Sequence, residues 1–280
     1  MGQSVEPVKL VDLSRELAGG RGTPPWWLGA VLPPLEAVLG IRALNRGYRR
    51  LQTEYSRDNF FWGCLRAMEV TVAIDPVHRA RLAAPGPVLV VGNHPFGGLE
   101  GIVAGALLSE ARGDVRLLAN FLLHRIPEIR PWLIEVDPLR RGQVQRNNRA
   151  ALRAAFQWLR GGGALVTFPA GTVAHWQGFA AGITDPPWHD SIARLALRAG
   201  VPVLPVYFPG RNGALFQLCG AVSRRARLLL LAKALMDCRG REIAVGVGEV
   251  IGVDELKKAP SPEAVTGLLR RRTYALAEGA

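Results

Sequence analysis

The chain has 280 residues, 49% of them hydrophobic and 21% charged, and its 35 Lys+Arg against 23 Asp+Glu leave a net charge of +12. That length and hydrophobic content exclude a disulfide-stapled mini-protein and a globally disordered chain, and suit one large α/β domain with or without a helical appendage. The positive excess fits nucleic acid, an anionic membrane or an acidic substrate, and does not choose among them.

Residues 1–22 read as polar and weakly structured. They lack the charged start and apolar run of a signal peptide. The opening Met-Gly-Gln-Ser-Val-Glu lacks the Ser/Thr that the simple myristoylation pattern places sixth. No window holds about 18 uninterrupted apolar residues, so no spanning helix is expected. In the next stretch Trp26, Trp27, Leu28, Val31, Leu32, Leu35, Val38, Leu39 and Ile41 precede Arg42, Arg46, Arg49 and Arg50. Such an order suits a segment lying in a membrane interface. It suits equally a helical pair packed on the domain with a solvated basic end. The pairs Pro24-Pro25 and Pro33-Pro34 argue against one continuous helix through it.

From residue 68 the pattern changes. Residues 68–74 read as a strand, Pro85-Gly86-Pro87 as a turn, and 88–93 (VLVVGN) as a buried parallel strand. A helix is expected from Leu99 to Ala111, a strand over 114–120, and a helix from Asn148 to Arg160 stopped by Gly161–Gly163. A strand over 164–171 enters a loop, a helix over 191–199 closes at Gly200, and 201–208 is again a strand. One late strand over 241–251 and a C-terminal helix over 262–278 complete the series. Strands alternating with helices predict a mostly parallel central sheet flanked by helices. The expected division is an N-terminal helical, membrane-associating region at 1–66 and an α/β domain at 67–280.

The segment VVGNHPFGGLEGI, 90–102, carries the chemistry. A buried strand ends at Asn93-His94, where ligands bind in open α/β sheets. Gly97 and Gly98 turn the chain, and Glu100 begins the next helix. His94 can act as a general base on a hydroxyl, with Glu100 holding the ring tautomer and stabilising the imidazolium. The other reading is a hydrogen-bonded loop His beside a Glu favoured by the helix dipole.

GNHPFGGLEG resembles the first motif of the lysophospholipid/glycerolipid acyltransferase superfamily, of 1-acylglycerol-3-phosphate acyltransferase type. Four residues usually separate that motif's His from its Asp. Here five residues, 95–99, intervene and Glu replaces Asp. The longer spacing is similar to the bacterial hemolysin-like branch. Three further blocks follow in order over about residues 68–250: WLIEVDPLRR (132–141), Phe168-Pro169-Ala170-Gly171-Thr172, and Val201-Pro202-Val203-Leu204-Pro205-Val206 with the following 207–220. The resemblance implies an O-acyltransferase. His94 activates the hydroxyl of a lyso-lipid acceptor, which attacks the thioester of acyl-CoA or acyl-carrier protein without an acyl-enzyme. Those carriers are co-substrates, and neither cofactor nor metal is implied.

On the same basis Asn93, Gly97, Gly98, Phe168, Pro169, Gly171 and Thr172 are expected around the substrate, with backbone N–H groups near Gly171 and Thr172 as oxyanion donors. Arg140 and Arg141 are the phosphate-clamp candidates, and read equally well as a solvated loop. The third block departs from the family, with Ala170 and Val173 where a Glu and an Arg usually stand. That weakens the case for lysophosphatidic acid and leaves room for a lyso-amino-acid lipid or a non-phosphorylated glycolipid. His175, Trp176, Trp188 and His189 lie just beyond and read either as acceptor-pocket lining or as packing and surface. His78 and His124 read as structural or exposed. Cys64, Cys219 and Cys238 have no metal spacing and suit a reducing compartment. The expected location is cytoplasmic, peripheral on the inner face of the cytoplasmic membrane, with an anionic lipid surface as partner. Two other classes stand beside this reading. One is a basic nucleic-acid-binding protein, which the leucine-interleaved arginines at 42–50, 224–233 and 270–272 fit less well than a lipid surface. The other is a catalytically silent lipid-binding member of the same fold.

Overall fold

The computed structural model describes residues 10–11, 28–54, 60–136, 144–222, 227 and 229–278. Ten strands lie in it: Thr71–Ala73 (β1), Val88–Gly92 (β2), Val115–Asn120 (β3), Leu133–Val136 (β4), Ala164–Thr167 (β5), His175–Trp176 (β6), Ile183–Thr184 (β7), Val203–Tyr207 (β8), Glu242–Ala244 (β9) and Gly246–Val247 (β10). Six of them form the central sheet in the order β10-β8-β2-β5-β3-β4. Every pairing in it is parallel except β10 on β8.

The alternation along β2 builds two cores from one strand. Val88 and Val90 point into a core with Phe61 and Leu65 of helix Phe60–Ala67 and Leu99, Val103 and Leu107 of helix Leu99–Ala111. Leu89 and Val91 point the other way, onto Ala155 and Leu159 of helix Val144–Arg160, Ile192 and Ala196 of helix Asp190–Ala199, and Val265 and Leu269 of helix Pro262–Tyr274. All five residues of β2 are buried, as a parallel strand covered on both faces requires. The expected mostly parallel sheet flanked by helices is therefore present. The expected division at 66/67 runs through the first core, because Phe60, Phe61 and Leu65 share it with the sheet.

Three local expectations change. Residues 241–251 are two short strands. The first, β9, pairs with β1 as a separate parallel two-stranded sheet, and β10 crosses to lie antiparallel on β8. Val245 donates to Ala73 O and Gly248 to Pro205 O, so the chain changes partners between them. The expected strand at 68–74 accordingly lies outside the central sheet. The third change concerns Pro33-Pro34, which sits inside helix Leu28–Val38. The carbonyls these prolines leave without N–H partners belong to Gly29 and Ala30, both exposed, where water can satisfy them. The helix breaks instead at Gly40 (φ 71), where a Cβ would come within 2.8 Å of the Lys233 main chain. Helix Ile41–Glu54 then buries Ile41, Asn45 and Tyr48 on one face and leaves Arg42, Arg46, Arg49 and Arg50 exposed.

Of the basic stretches, 42–50 lies near Lys233, through the contact at Gly40. Arg270 and Arg272 are engaged elsewhere, with Asp185 O and Glu255. Trp26, Trp27, Arg224 and Arg225 lie outside the described residues.

Candidate active site

The carboxyl ends of β2, β5 and β8 converge on His94. Asn93 fixes that convergence. Its Nδ2 donates to Phe208 O and its Oδ1 accepts from Phe208 N, both at 2.8 Å, so the amide stitches the end of β2 to the end of β8. Both polar groups of the amide are thus engaged with main chain, and Asn93 fixes the frame of the site. The next residue is held on both sides. His94 N donates to Asp185 Oδ1 at 3.0 Å, and His94 O accepts from Ala174 N at 2.8 Å.

The turn to Glu100 depends on Gly97. Its φ is +92, and a Cβ there would lie 2.6 Å from Val173 Cγ2, so both the backbone and the space demand glycine. Gly98 then stands at the N-cap of helix Leu99–Ala111. Glu100, in that helix's first turn, is wholly buried. Its Oε1 accepts from Phe96 N (3.1 Å) and Gly97 N (2.9 Å) and meets His94 Nδ1 at 2.6 Å. The longer spacing and the longer side chain thus close into a His–Glu ion pair. The carboxylate also answers N–H groups at a helix start, where negative charge is favoured.

The His94 side chain is 18% exposed and stacks on Phe168, with ring centroids 4.8 Å apart. Burial alone pushes its pKa down, but the carboxylates of Glu100 and Asp185 outweigh it and hold it above the ordinary value. Burial alone raises Glu100, but His94 and the backbone N–H donors bring it below the usual carboxylate range. Nδ1 faces Glu100, and Nε2 has no protein partner among the described residues, so Nε2 is the nitrogen presented to a ligand. Two of the cysteines are poor candidate nucleophiles. Burial raises the Cys64 and Cys238 thiols to about 12 and about 11, far from thiolates at neutral pH.

The third-block loop lies against this pair. Gly171 N is engaged with Phe168 O at 3.0 Å, which removes it from the expected oxyanion donors. Thr172 N has no such partner among the described residues. Pro169 O accepts from His189 N at 2.9 Å. Ala170 and Val173, at the positions of the family's Glu and Arg, are buried. Val173 packs with Phe216, Leu230 and Ala234. An arginine reaches the loop from elsewhere: Arg227 Nη1 lies 3.4 Å from Thr172 Oγ1 and 2.9 Å from His175 Nδ1, while Nη2 donates to Gly220 O at 2.9 Å. Arg140 and Arg141 lie outside the described residues.

The four aromatic and imidazole residues beyond the loop divide. Trp188 is buried and donates from Nε1 to Asp185 Oδ2 at 2.9 Å. Trp176 is half exposed on β6. His175 sits between Val173 O, Arg227 and Gln177. Burial, with Arg227 adding to it, lowers its pKa. The ring of His189 lies beside Gly171.

Asp185 was not singled out by the sequence. It is 1% exposed, and its oxygens accept from His94 N and Trp188 Nε1. Its main chain is gripped by helix Pro262–Tyr274: Asp185 N donates to Tyr274 Oη at 3.2 Å, and Arg270 Nη2 donates to Asp185 O at 3.2 Å. An Asp before Pro186-Pro187 looks like an ordinary turn residue, and its contact with His94 spans 91 positions. Among the described residues, no group of three or more His, Cys, Asp or Glu could hold a metal ion.

Comparison with known proteins adds a family to this geometry. The sequence profile described as Acyltransferase matches residues 40–279. The chain is 26% identical over 211 residues to a lyso-glycine lipid O-acyltransferase of Phocaeicola vulgatus, covering 73% of this chain and 72% of that one. It is 25% identical over 211 residues to a lyso-glycine lipid O-acyltransferase of Bacteroides thetaiotaomicron, covering 73% and 74%. In fold it is similar to the crystal structure of the 1-acyl-sn-glycerophosphate (LPA) acyltransferase PlsC from Thermotoga maritima. The TM-score is 0.51 at 15% identity, over 90% of this chain and 92% of that one.

Proposed function

The chain belongs to the acyltransferase family within the lysophospholipid acyltransferase superfamily, and on that premise we propose that it acylates the hydroxyl of a lyso-lipid with an amino-acid headgroup. The observation that carries the mechanism is the contact of His94 Nδ1 with buried Glu100 Oε1 at 2.6 Å, at the mouth of the sheet. His94 Nε2 takes the proton of the acceptor hydroxyl as its oxygen attacks the carbonyl carbon of an acyl thioester. Glu100 keeps Nδ1 protonated and stabilises the imidazolium. The tetrahedral oxyanion needs a donor placed in advance, and Thr172 N–H is the one we assign. Collapse breaks the C–S bond, and the leaving thiolate recovers the proton from Nε2. The carrier, coenzyme A or acyl-carrier protein, leaves as the free thiol.

Two observations support the acceptor class. Ala170 and Val173 put buried apolar surface where the family's Glu and Arg stand, and the two relatives above are named for lyso-glycine lipids. For a lipid acceptor the enzyme works at a bilayer, and we place it peripherally on the inner face of the cytoplasmic membrane. No helix among the described residues is long and apolar enough to cross a membrane. The test offers purified protein acyl-CoA and acyl-carrier protein with a panel of lyso-lipids, and identifies products by mass spectrometry. Acylated amino-acid lipid is the expected product. Saturable turnover of lysophosphatidic acid in preference to every other acceptor would overturn the acceptor assignment.

A further inference from the structure

Among the described residues, large exposed apolar side chains are not scattered evenly. Apart from Val77 and Val250, those with high exposure stand on helix Leu28–Val38, on the β6–β7 hairpin, on helix Ala214–Val222, and at Leu229 beside helix Leu231–Met236. These pieces meet. Leu39, Val173, Phe216, Leu230 and Ala234 form a small apolar cluster outside the two main cores. Exposed Val38, Leu215 and Leu229 are each next in sequence to a member of it. The hairpin is tied to the same helix, because Trp176 N donates to Gln217 Oε1 at 3.2 Å.

The hairpin tip is the extreme case. Phe179 is 99% exposed, its ring meeting that of Trp176 edge-on, with ring centroids 5.3 Å apart. On the neighbouring helix Leu218 is 69% exposed. Contiguous apolar surface of this kind marks a contact site, and its charge says with what. Between Asp190 and Asp237 the sequence has no acidic residue and seven basic ones, of which Arg194 and Lys233 are paired with Glu263 and Asp237 and Arg227 is buried. Exposed Arg211 lies three residues before the helix. Exposed leucines within this acid-free basic stretch, together with the exposed aromatics of the adjoining hairpin, match an anionic bilayer, whose headgroups attract the cations while its acyl boundary takes the rings.

We infer that the β6–β7 hairpin and helix Ala214–Val222 form the surface that enters an anionic lipid bilayer, with Phe179 and Leu218 leading. The inference deepens the proposed function, and rests on it for the presence of a bilayer. The stripe Val31, Leu35 and Val38 flanks the same cluster and reinforces the contact without leading it. The geometry also links the surface to the base. Ala174, whose N–H holds His94 O at 2.8 Å, immediately precedes β6. The hairpin thus begins one residue from the main chain that holds His94.

The experiment is co-sedimentation of the full chain with vesicles of phosphatidylglycerol and phosphatidylcholine, against vesicles of phosphatidylcholine alone. The expected result is pelleting with the anionic vesicles that weakens with salt, and a partition coefficient lowered by at least about tenfold in the double variant Phe179→Ser/Leu218→Ser. Val77→Ser, an equally bland change on another face, leaves pelleting unchanged. The double variant keeps its circular dichroism and its turnover of a dispersed, short-chain acceptor, and loses turnover of a vesicle-borne one. Unchanged pelleting of the double variant, an equal loss in Val77→Ser, or a change of oligomeric state in place of vesicle binding overturns the proposal. Pelleting requires no turnover. A wrong acceptor therefore leaves this test intact, and normal turnover with unaltered pelleting defeats the surface alone.

Discussion

Two His–Glu pairs lie among the described residues, and they differ in almost everything but composition. In one, His94 and Glu100 are 18% and 0% exposed. Backbone N–H groups of Phe96 and Gly97 hold the carboxylate, and Asp185 and Ala174 hold the His94 main chain. In the other, His124 and Glu135 pair at the β3–β4 edge with exposures of 56% and 37%. Water and salt screen that second pair, and such surface pairs contribute only about 0–1 kcal/mol. The lesson is that the contact is not what makes a base. Burial raises the interaction between charges, and the surrounding donors decide which partner carries charge and which nitrogen is left open.

That contrast can be broken by substitution. The largest expected effect is His94→Ala, which lowers kcat/KM by about 10³-fold or more, since a positioned base contributes about 10²–10⁴-fold. Circular dichroism should be unchanged, and a rate within tenfold of wild type would remove His94 from the mechanism. Glu100→Gln comes next. The amide oxygen still accepts from Phe96 and Gly97, so the fold survives, and about 10²-fold of rate is lost.

The pH profile sharpens the assignment. A base must be neutral to accept a proton, and the His94 pKa is held above its ordinary value. The rate should therefore be full at high pH and fall as pH drops through that raised value, with its acid limb above about 6.5. Removing the Glu100 charge moves this limb to lower pH. A limb that stays put in Glu100→Gln would show that another group titrates.

Asp185→Asn predicts a smaller change, about tenfold in kcat with KM little altered. Its acid limb shifts the same way by less, because Glu100 acts on His94 more strongly than Asp185 does. A KM effect with no pH shift would reduce Asp185 to a packing role. The smallest effect belongs to the second pair: Glu135→Gln should leave rate and pH profile within about twofold, as surface changes usually do.

Much of the local architecture was legible. The strand ending at Asn93 and the helix from Leu99 to Ala111 follow from a β-branched run, a Gly-Gly turn and helical spacing, all local signals. The spacing of His94 and Glu100 is local too, and so is the apolar replacement at Ala170 and Val173. What escaped depends on distant partners. Nothing near Asp185 announces His94 or Tyr274, and nothing near Asn93 says that its amide is matched to the Phe208 main chain. The run 241–251 is rich in Val and Ile, which favour strands, but propensity is silent on pairing, and β9 and β10 found different neighbours. Pro33-Pro34 broke a rule that assumes buried carbonyls, where Gly29 and Ala30 are exposed.

The grip of Tyr274 and Arg270 on Asp185 has a consequence for the order of synthesis. His94 and Glu100 are translated early, and the helix that braces their loop is translated long after them. At about 5–20 residues per second the delay is roughly ten to forty seconds. During that interval β5, β8 and the Asp185 loop, on which the setting of His94 depends, are made as well, so the site should be complete only once helix Pro262–Tyr274 has joined them.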